Sequence, residues 1–285
     1  MASGYDGLLE ILSELRASIS SSVSATNSPE HAFDYASTAA LIKSYEFCIA
    51  AAESTSDRSY LLVASLRGIC EDFISLKFIH EKKEGSKNQI VLLRSAEEAY
   101  ASSVVQWAFF KENHPDQNLY YRENFSEKVE LIRSELRTML AGHKIKQGAS
   151  MPSVFYMANS VGLASLYQYL YNATSQFVHC NPRLLLRLGW ESESNFDFST
   201  KHFGNYYKHF TEFYGTYLLI ALFEWLATID AVSIRDKAPA ALTVLKKIFT
   251  GKERWPELVT FEEMNIGSLS RNLFYRAPSQ LAENS

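Results

Sequence analysis

Apolar residues along this chain recur with the spacing of α-helices rather than with the alternation typical of β-strands. Segments with this spacing, in chain order, are 5–20, 29–53, 58–82, 88–112, 127–141, 152–181, 203–234 and 237–250. Pro152 opens the sixth segment, and Pro182 ends or kinks it. The seventh is apolar on most faces, which is typical of a helix at the centre of a bundle. The pattern predicts an all-α, multi-helix bundle with long central helices.

Two polar segments interrupt the helical pattern and predict loops. The segment 143–151 is basic, through His143, Lys144 and Lys146, and the segment 191–201 is rich in polar, turn-forming residues. No convincing pair of strands is visible.

The helical pattern weakens towards the end of the chain. Beyond Gly251 the periodicity is low, and we therefore divide the sequence into a helical bundle domain, 1–235, and a C-terminal helical extension with an irregular tail, 236–285. The chain contains only 12 Gly and 7 Pro, few for a protein built from many short strands and tight turns. Composition and periodicity thus agree on helices.

The net charge and the composition indicate which binding partners and which cellular compartment to expect for this protein. The net charge is −4 with both signs well mixed, so no global basic field favours nucleic acid. The three cysteines form no CxxC pair, and neither common nucleotide-binding loop occurs. The most apolar stretch, 217–229, is interrupted by Glu224 and is shorter than the ~18–20 residues of a membrane span. With no leader pattern at the N-terminus, we expect a cytoplasmic protein without membrane segment, metal or cofactor.

The first candidate constellation lies on the sixth predicted helix. Tyr167, Tyr171, Ser175 and His179 recur every fourth residue and would form one polar and aromatic stripe. The adjacent face carries the core-type residues Leu163, Leu166, Leu170 and Phe177. Such a stripe is either the wall of a site or a polar network that is satisfied inside a helix bundle, and the sequence leaves both interpretations open.

The second candidate constellation lies on the third predicted helix. Arg67 and Glu71 are four residues apart there, on the side opposite to the apolar stripe. Such a pair is commonly a solvated ion pair worth ~0.3–0.5 kcal/mol. Tyr60, Ile74 and Phe78 share or border this face, and a role in lining a cleft therefore stays open beside the solvated pair.

The two constellations together resemble an all-helical bacterial family, the domain of unknown function 5677, over about 60–188. The residues that carry the resemblance are Arg67 and Glu71 on one helix and Tyr171, Ser175, His179 and Asn181 on a later one. The arrangement is also similar to HEPN-type domains, many of which are metal-independent ribonucleases of bacterial defence and toxin systems. Those enzymes carry arginine and histidine in one R-x(4–6)-H motif. Here the five residues before His179 contain no arginine, so Arg67 would supply the cation from another helix.

The resemblance implies an enzyme hypothesis with RNA as the substrate. Arg67 would bind a phosphate, Glu71 would orient Arg67 or His179, and His179 would be the general acid/base in cleavage by the 2′-hydroxyl. The residues that would hold the substrate or orient the histidine are Tyr171, Ser175 and Asn181.

The alternative hypothesis is a non-catalytic interaction module. Its polar motif would be a satisfied internal network that fixes helix register. The aromatic-rich helix over 203–234, or the C-terminal tail, would then bind a partner protein or a second copy of the chain.

Overall fold

The computed structural model describes residues 5, 7–22, 29–117, 124–179, 181, 184–185, 188–191, 196–250 and 255–257. The helices of this part are α1 (Leu8–Arg16), α2 (Ala32–Glu53), α3 (Ser59–Leu62), α4 (Ser65–Lys83), α5 (Lys87–Asn113), α6 (Phe125–Met139), α7 (Val154–Ser160), α8 (Ala164–Val178), α9 (Gly204–Thr228) and α10 (Ala240–Thr250). The all-α multi-helix fold that the periodicity predicts is confirmed.

Helix α9 is the centre of the bundle, as its apolar faces predict. Tyr207, Phe213 and Phe223 are almost completely buried along it. Helix α2 packs against α9 so closely that a Cβ at Gly215 would lie 2.6 Å from Cε1 of Phe47. A side chain at this position would therefore push the two helices apart.

Two predicted helices are each divided in the structure. The segment 58–82 forms α3 and α4, separated by a turn at residues 63–64. The segment 152–181 forms α7 and α8, because Gly162 adopts a φ of 75° and its left-handed backbone ends α7. The prediction of one long helix through this stretch was wrong. Pro182, which we expected at its end, lies outside the described residues.

The second predicted loop contains a short hairpin. Strand β1 (Gly189–Glu191) pairs antiparallel with β2 (Phe196–Phe198), and Gly189 lies opposite Phe198. The expectation of a plain loop over 191–201 is therefore corrected. Polar, turn-forming composition does not exclude a strand pair of this length, because three residues are too few to show alternation.

Helices α2, α3, α4 and α10 pack directly on α9. Helix α4 contacts α2, α7 and α8, while α5 and α6 pack against each other as an extended pair. Helix α10 lies against α1 and α9. Trp255 packs on Phe213, and the Tyr214 hydroxyl donates to the Pro256 carbonyl at 2.9 Å. The division at 235/236 stays a prediction, and the tail after 257 lies outside the described residues.

Candidate functional site

Arg67 and Glu71 form the predicted ion pair on the surface of α4. Arg67 Nε donates to Glu71 Oε1 at 2.7 Å, and the two side chains are 29 % and 27 % exposed. The hydrogen bond that Arg67 donates to Glu71, together with the negative charge of Glu71, raises the pKa of Arg67. Partial burial and the fixed Nε bond hold the guanidinium in one orientation, unlike a freely solvated surface pair.

Tyr171 on α8 packs against the guanidinium of Arg67. The guanidinium carbon lies 4.7 Å from the centre of the Tyr171 ring, which is a cation–π contact. Tyr167 is one turn earlier, 5.6 Å from Tyr171 between ring centres. Burial, followed by the negative charge of Glu71, raises the pKa of Tyr167 to about 12. The two helices that carry the candidate constellations are therefore in contact at these side chains.

One edge of the Arg67 guanidinium stays available to a ligand. Nε is engaged by Glu71, whereas the two Nη atoms donate to no acceptor among the described residues. A guanidinium presents its donors as a planar fork that matches phosphate and carboxylate oxygens. Arg67 is thus a preorganised receptor for one anionic group.

Arg67 lines a cleft of about 670 Å³ between α4, α7, α8 and the loop before α7. The residues that line it are Arg67, Lys144, Lys146, Ser153, Val154, Phe155, Tyr156, Asn159, Tyr167, Gln168, Tyr171 and Asn172. Every charged residue in this lining is a cation. The local charge is therefore positive although the chain as a whole is acidic.

Lys144 and Lys146 line the cleft, and the basic loop that carries them, 143–151, is held in place by contacts at both of its ends. Near its start, His143 lies edge-on to the Phe78 ring and its Nδ1 is 3.4 Å from the Tyr156 hydroxyl. Burial, with the charges of nearby lysines, lowers the pKa of His143. At its end, the buried Ser150 donates to Glu97 Oε2 at 2.6 Å.

Glu97 is the centre of a buried polar network that the sequence analysis missed. It accepts from Arg94 Nη1 at 2.5 Å, from Arg133 Nε at 2.8 Å and from Ser150. Burial alone would raise its pKa, but the hydrogen bonds from Ser150 and Arg133 and the charge of Arg94 outweigh this and lower the pKa. The spacing of Arg94 and Glu97 was visible in the sequence, yet it is equally typical of a solvated helix face.

His179 is not on the helix that the periodicity assigned to it. Helix α8 ends at Val178, and His179 has extended backbone, with φ −113° and ψ 157°. Its side chain is exposed, and within the described ranges it makes no hydrogen bond, ion pair or ring contact with Arg67 or Glu71. His179 follows Tyr171 by eight residues, which corresponds to a rise of about 12 Å along a helix. The contact between Arg67 and Tyr171 therefore lies about two helical turns before the end of α8, where His179 begins the extended segment.

The other two predicted site residues bond to backbone. The Ser175 hydroxyl donates to the Asn172 carbonyl at 3.4 Å. The Asn181 side chain accepts from the Leu184 N–H at 3.1 Å, as a capping residue does. The structure thus places Arg67 and Tyr171 in one cleft, with Glu71 paired to Arg67 outside the lining. Ser175, His179 and Asn181 are not among the residues that line this cleft.

The sequence profile of one family matches the part of the chain that contains this site. The family is described as "Family of unknown function (DUF5677)". Residues 62–197 match this family. The predicted resemblance is confirmed, and the matched stretch contains every residue of the cleft. No curated protein and no solved structure matches the chain.

Two further observations concern a metal site and a membrane-spanning helix, neither of which the sequence favours. Across the described residues, no group of three or more His, Cys, Asp and Glu side chains is placed to hold a metal ion. None of the described helices combines the length and apolar composition that crossing a bilayer requires.

Proposed function

We propose that this protein binds single-stranded RNA in the Arg67 cleft. The observation that carries the proposal is a cleft whose charged lining is entirely cationic, with the free fork of Arg67 at its wall. Lys144 and Lys146 add two exposed ammonium groups, which suit the phosphates on either side of the one held by Arg67.

Aromatic side chains in the same cleft favour a nucleic acid over a simple anion. Phe155 is 46 % exposed and Tyr171 is 38 % exposed, and both line the cleft. Cations that follow a backbone, beside rings on which bases stack, are typical of single-strand binding sites. Double-stranded RNA would present its phosphates without exposing a base face to these rings.

The binding test uses fluorescence anisotropy with a short labelled single-stranded RNA. Arg67→Lys keeps the charge but removes the fork, and we expect binding to weaken by about 10- to 150-fold, from the loss of a charge-assisted hydrogen bond worth ~1.5–3 kcal/mol. Lys144→Gln should make the slope of log K against log salt concentration less negative by about 0.7, the contribution of one phosphate contact on a single strand. Lys247→Gln, an exposed lysine on α10 outside the cleft, is the control with the same change in charge.

Unchanged affinity in Arg67→Lys, or equal effects of Lys144→Gln and Lys247→Gln, would refute the cleft as the binding site. The three variants must keep the melting temperature of the parent protein for this comparison. Their side chains are at least partly exposed, and we expect no large loss of stability.

The enzymatic part of the proposal is metal-independent cleavage with His179 as the general acid/base. His179 lies about 12 Å along α8 from Tyr171, so a strand running along α8 is needed to bring one phosphate to Arg67 and another to His179. Cleavage of labelled RNA in the presence of EDTA, lost in His179→Ala with RNA binding retained, is the expected result. If the variant cleaves as fast as the parent protein, His179 has no part in the chemistry.

The HEPN-type resemblance extends this proposal to a bacterial cytoplasmic protein linked to defence or toxin systems. Expression of such a ribonuclease in a bacterial host should arrest growth, and His179→Ala should relieve the arrest. Equal growth of cells that express either form would contradict this extension.

A second candidate function is protein–protein interaction or oligomerisation, and the α5–α6 pair favours it. Val105, Phe109 and Leu131 are 70 %, 56 % and 70 % exposed there. The aromatic residues of α9, by contrast, are mostly buried in the bundle and offer no comparable surface. Light scattering coupled to size exclusion should show a dimer that Phe109→Ser dissociates, and a monomer for the parent protein would exclude self-association.

A further inference from the structure

Three carboxamides line the Arg67 cleft without a hydrogen-bond partner among the described residues. Asn159 lies on α7, and Gln168 and Asn172 lie on α8. All three are exposed, and within the described part of the chain their side-chain amides make no hydrogen bond. The cationic groups of the cleft can hold phosphates, but they leave these amides without a role.

The helical spacing sets two of the amides, Gln168 and Asn159, beside an aromatic ring. Gln168 is three residues before Tyr171 and four before Asn172, which places their Cβ atoms about 5–6 Å apart. On α7, Phe155 and Asn159 have the same four-residue spacing. Both helices line one cleft, so each contributes a ring and at least one amide to it.

A ring beside an amide can bind an unpaired base. The ring stacks on the face of the base, while the amide offers one donor and one acceptor to its edge. Glutamine and asparagine match the N6 donor and N7 acceptor of adenine in two hydrogen bonds. Arginine matches guanine, but the proposed function assigns the free edge of Arg67 to a phosphate, which leaves the amides to read the base.

We propose that Asn159, Gln168 and Asn172 form a base-recognition subsite that selects adenine in single-stranded RNA. The subsite rests on the proposed function, because the phosphate bound at Arg67 brings the attached base to the amides. Arg67 and the lysines then supply affinity for any sequence, and the amides supply the preference among sequences.

The test compares oligoadenylate with oligouridylate of equal length by fluorescence anisotropy. We expect the parent protein to bind oligoadenylate about 10-fold more tightly, within the discrimination of a bidentate amide contact. The double variant Gln168→Ala/Asn172→Ala should bind both oligonucleotides with similar affinity. Gln106→Ala removes an exposed amide on α5 that does not line the cleft, and should keep the preference.

The outcomes separate this inference from the function on which it rests. Equal binding of the two oligonucleotides by the parent protein, tighter binding of oligouridylate, or a preference retained in the double variant would overturn the subsite and leave RNA binding intact. Absence of binding to both oligonucleotides would overturn the proposed function together with the subsite.

Discussion

Replacement of Glu97 by alanine tests whether the buried network on α5 holds this part of the fold together. The Glu97 side chain is 6 % exposed and joins three parts of the chain: α5 through Arg94, α6 through Arg133, and the end of the basic loop through Ser150. Alanine removes the acceptor from all three donors at once. The adjacent Glu98, also paired with Arg94, is 66 % exposed.

The expected cost follows from these contacts. Breaking a buried charged network by removing one partner costs about 3–5 kcal/mol, because the remaining charges lose their compensation. Here Arg94 and Arg133 are each about one-third exposed and keep Glu98 and Glu130 as partners. Both arginines can therefore rehydrate in part, and we expect about 2–3 kcal/mol for Glu97→Ala. Glu98→Ala should cost at most about 0.5 kcal/mol, as for other exposed pairs.

Thermal and urea unfolding of the two variants measure this difference. For a protein of this size we expect Glu97→Ala to lower the melting temperature by about 3–5 °C, against about 1 °C for Glu98→Ala. The variants remove the same charge one residue apart, so net charge cannot explain a difference. Equal melting temperatures would show that Glu97 is not the acceptor that holds Arg94, Arg133 and Ser150.

Three further outcomes are expected. The pKa of Glu97 is lowered on folding, so Glu97 stabilises the protein fully above the ordinary carboxyl pKa of about 4.3 and loses this effect as the pH falls through the lower folded value. The gap in unfolding free energy between the parent protein and Glu97→Ala should therefore narrow as the pH falls below about 5. Gly204→Ala should lower the melting temperature by an amount equivalent to about 1–3 kcal/mol, since its Cβ would lie 2.5 Å from the Ser56 carbonyl oxygen. Burial raises the pKa of both Cys48 and Cys70 to about 12. In a variant with Cys180→Ser, the native protein should therefore not react with Ellman's reagent near pH 8, whereas the unfolded protein should yield two thiols.

The Gly204→Ala substitution has a matched control in Gly68→Ala. Gly68→Ala places its Cβ in the interior of α4, 3.5 Å from the flexible end of Lys43, and should raise stability by about 0.5–1 kcal/mol through helix propensity. A similar loss in Gly68→Ala and Gly204→Ala would indicate that close approach is not the cause. A constant gap across the pH series, or rapid labelling of the native thiols, would contradict the environments of Glu97, Cys48 and Cys70.

Much of the site was predictable from spacing along the chain. Arg67 and Glu71 pair as their four-residue separation predicts, and Tyr167 and Tyr171 share a stripe on α8. Gln168 and Asn172 were equally visible as a four-residue pair, but exposed amides on a helix carry no signal by themselves. What assigns them a role is the cleft that they share with Arg67.

The position of His179 shows where spacing along the chain fails. The four-residue recurrence continues through this residue, but α8 ends one residue earlier, and the backbone turns away in extended conformation. Periodicity states which face a residue would occupy if the helix continued. Whether the helix continues depends on the packing and capping of its last turn, which a recurrence of side chains does not encode.

The sequence by itself determined the helical fold class and most helix positions, because hydrophobic periodicity acts over a few turns of one segment. Only the tertiary structure decided which charges are buried and which line a cleft. Glu97 is buried because Arg133 and Ser150, distant in sequence, both donate to it. The lysines of the basic loop line the same cleft as Arg67, and the bond from Ser150 to Glu97 holds the end of that loop. A charged side chain leaves water only where other segments supply its partners, and those partners are brought together by folding.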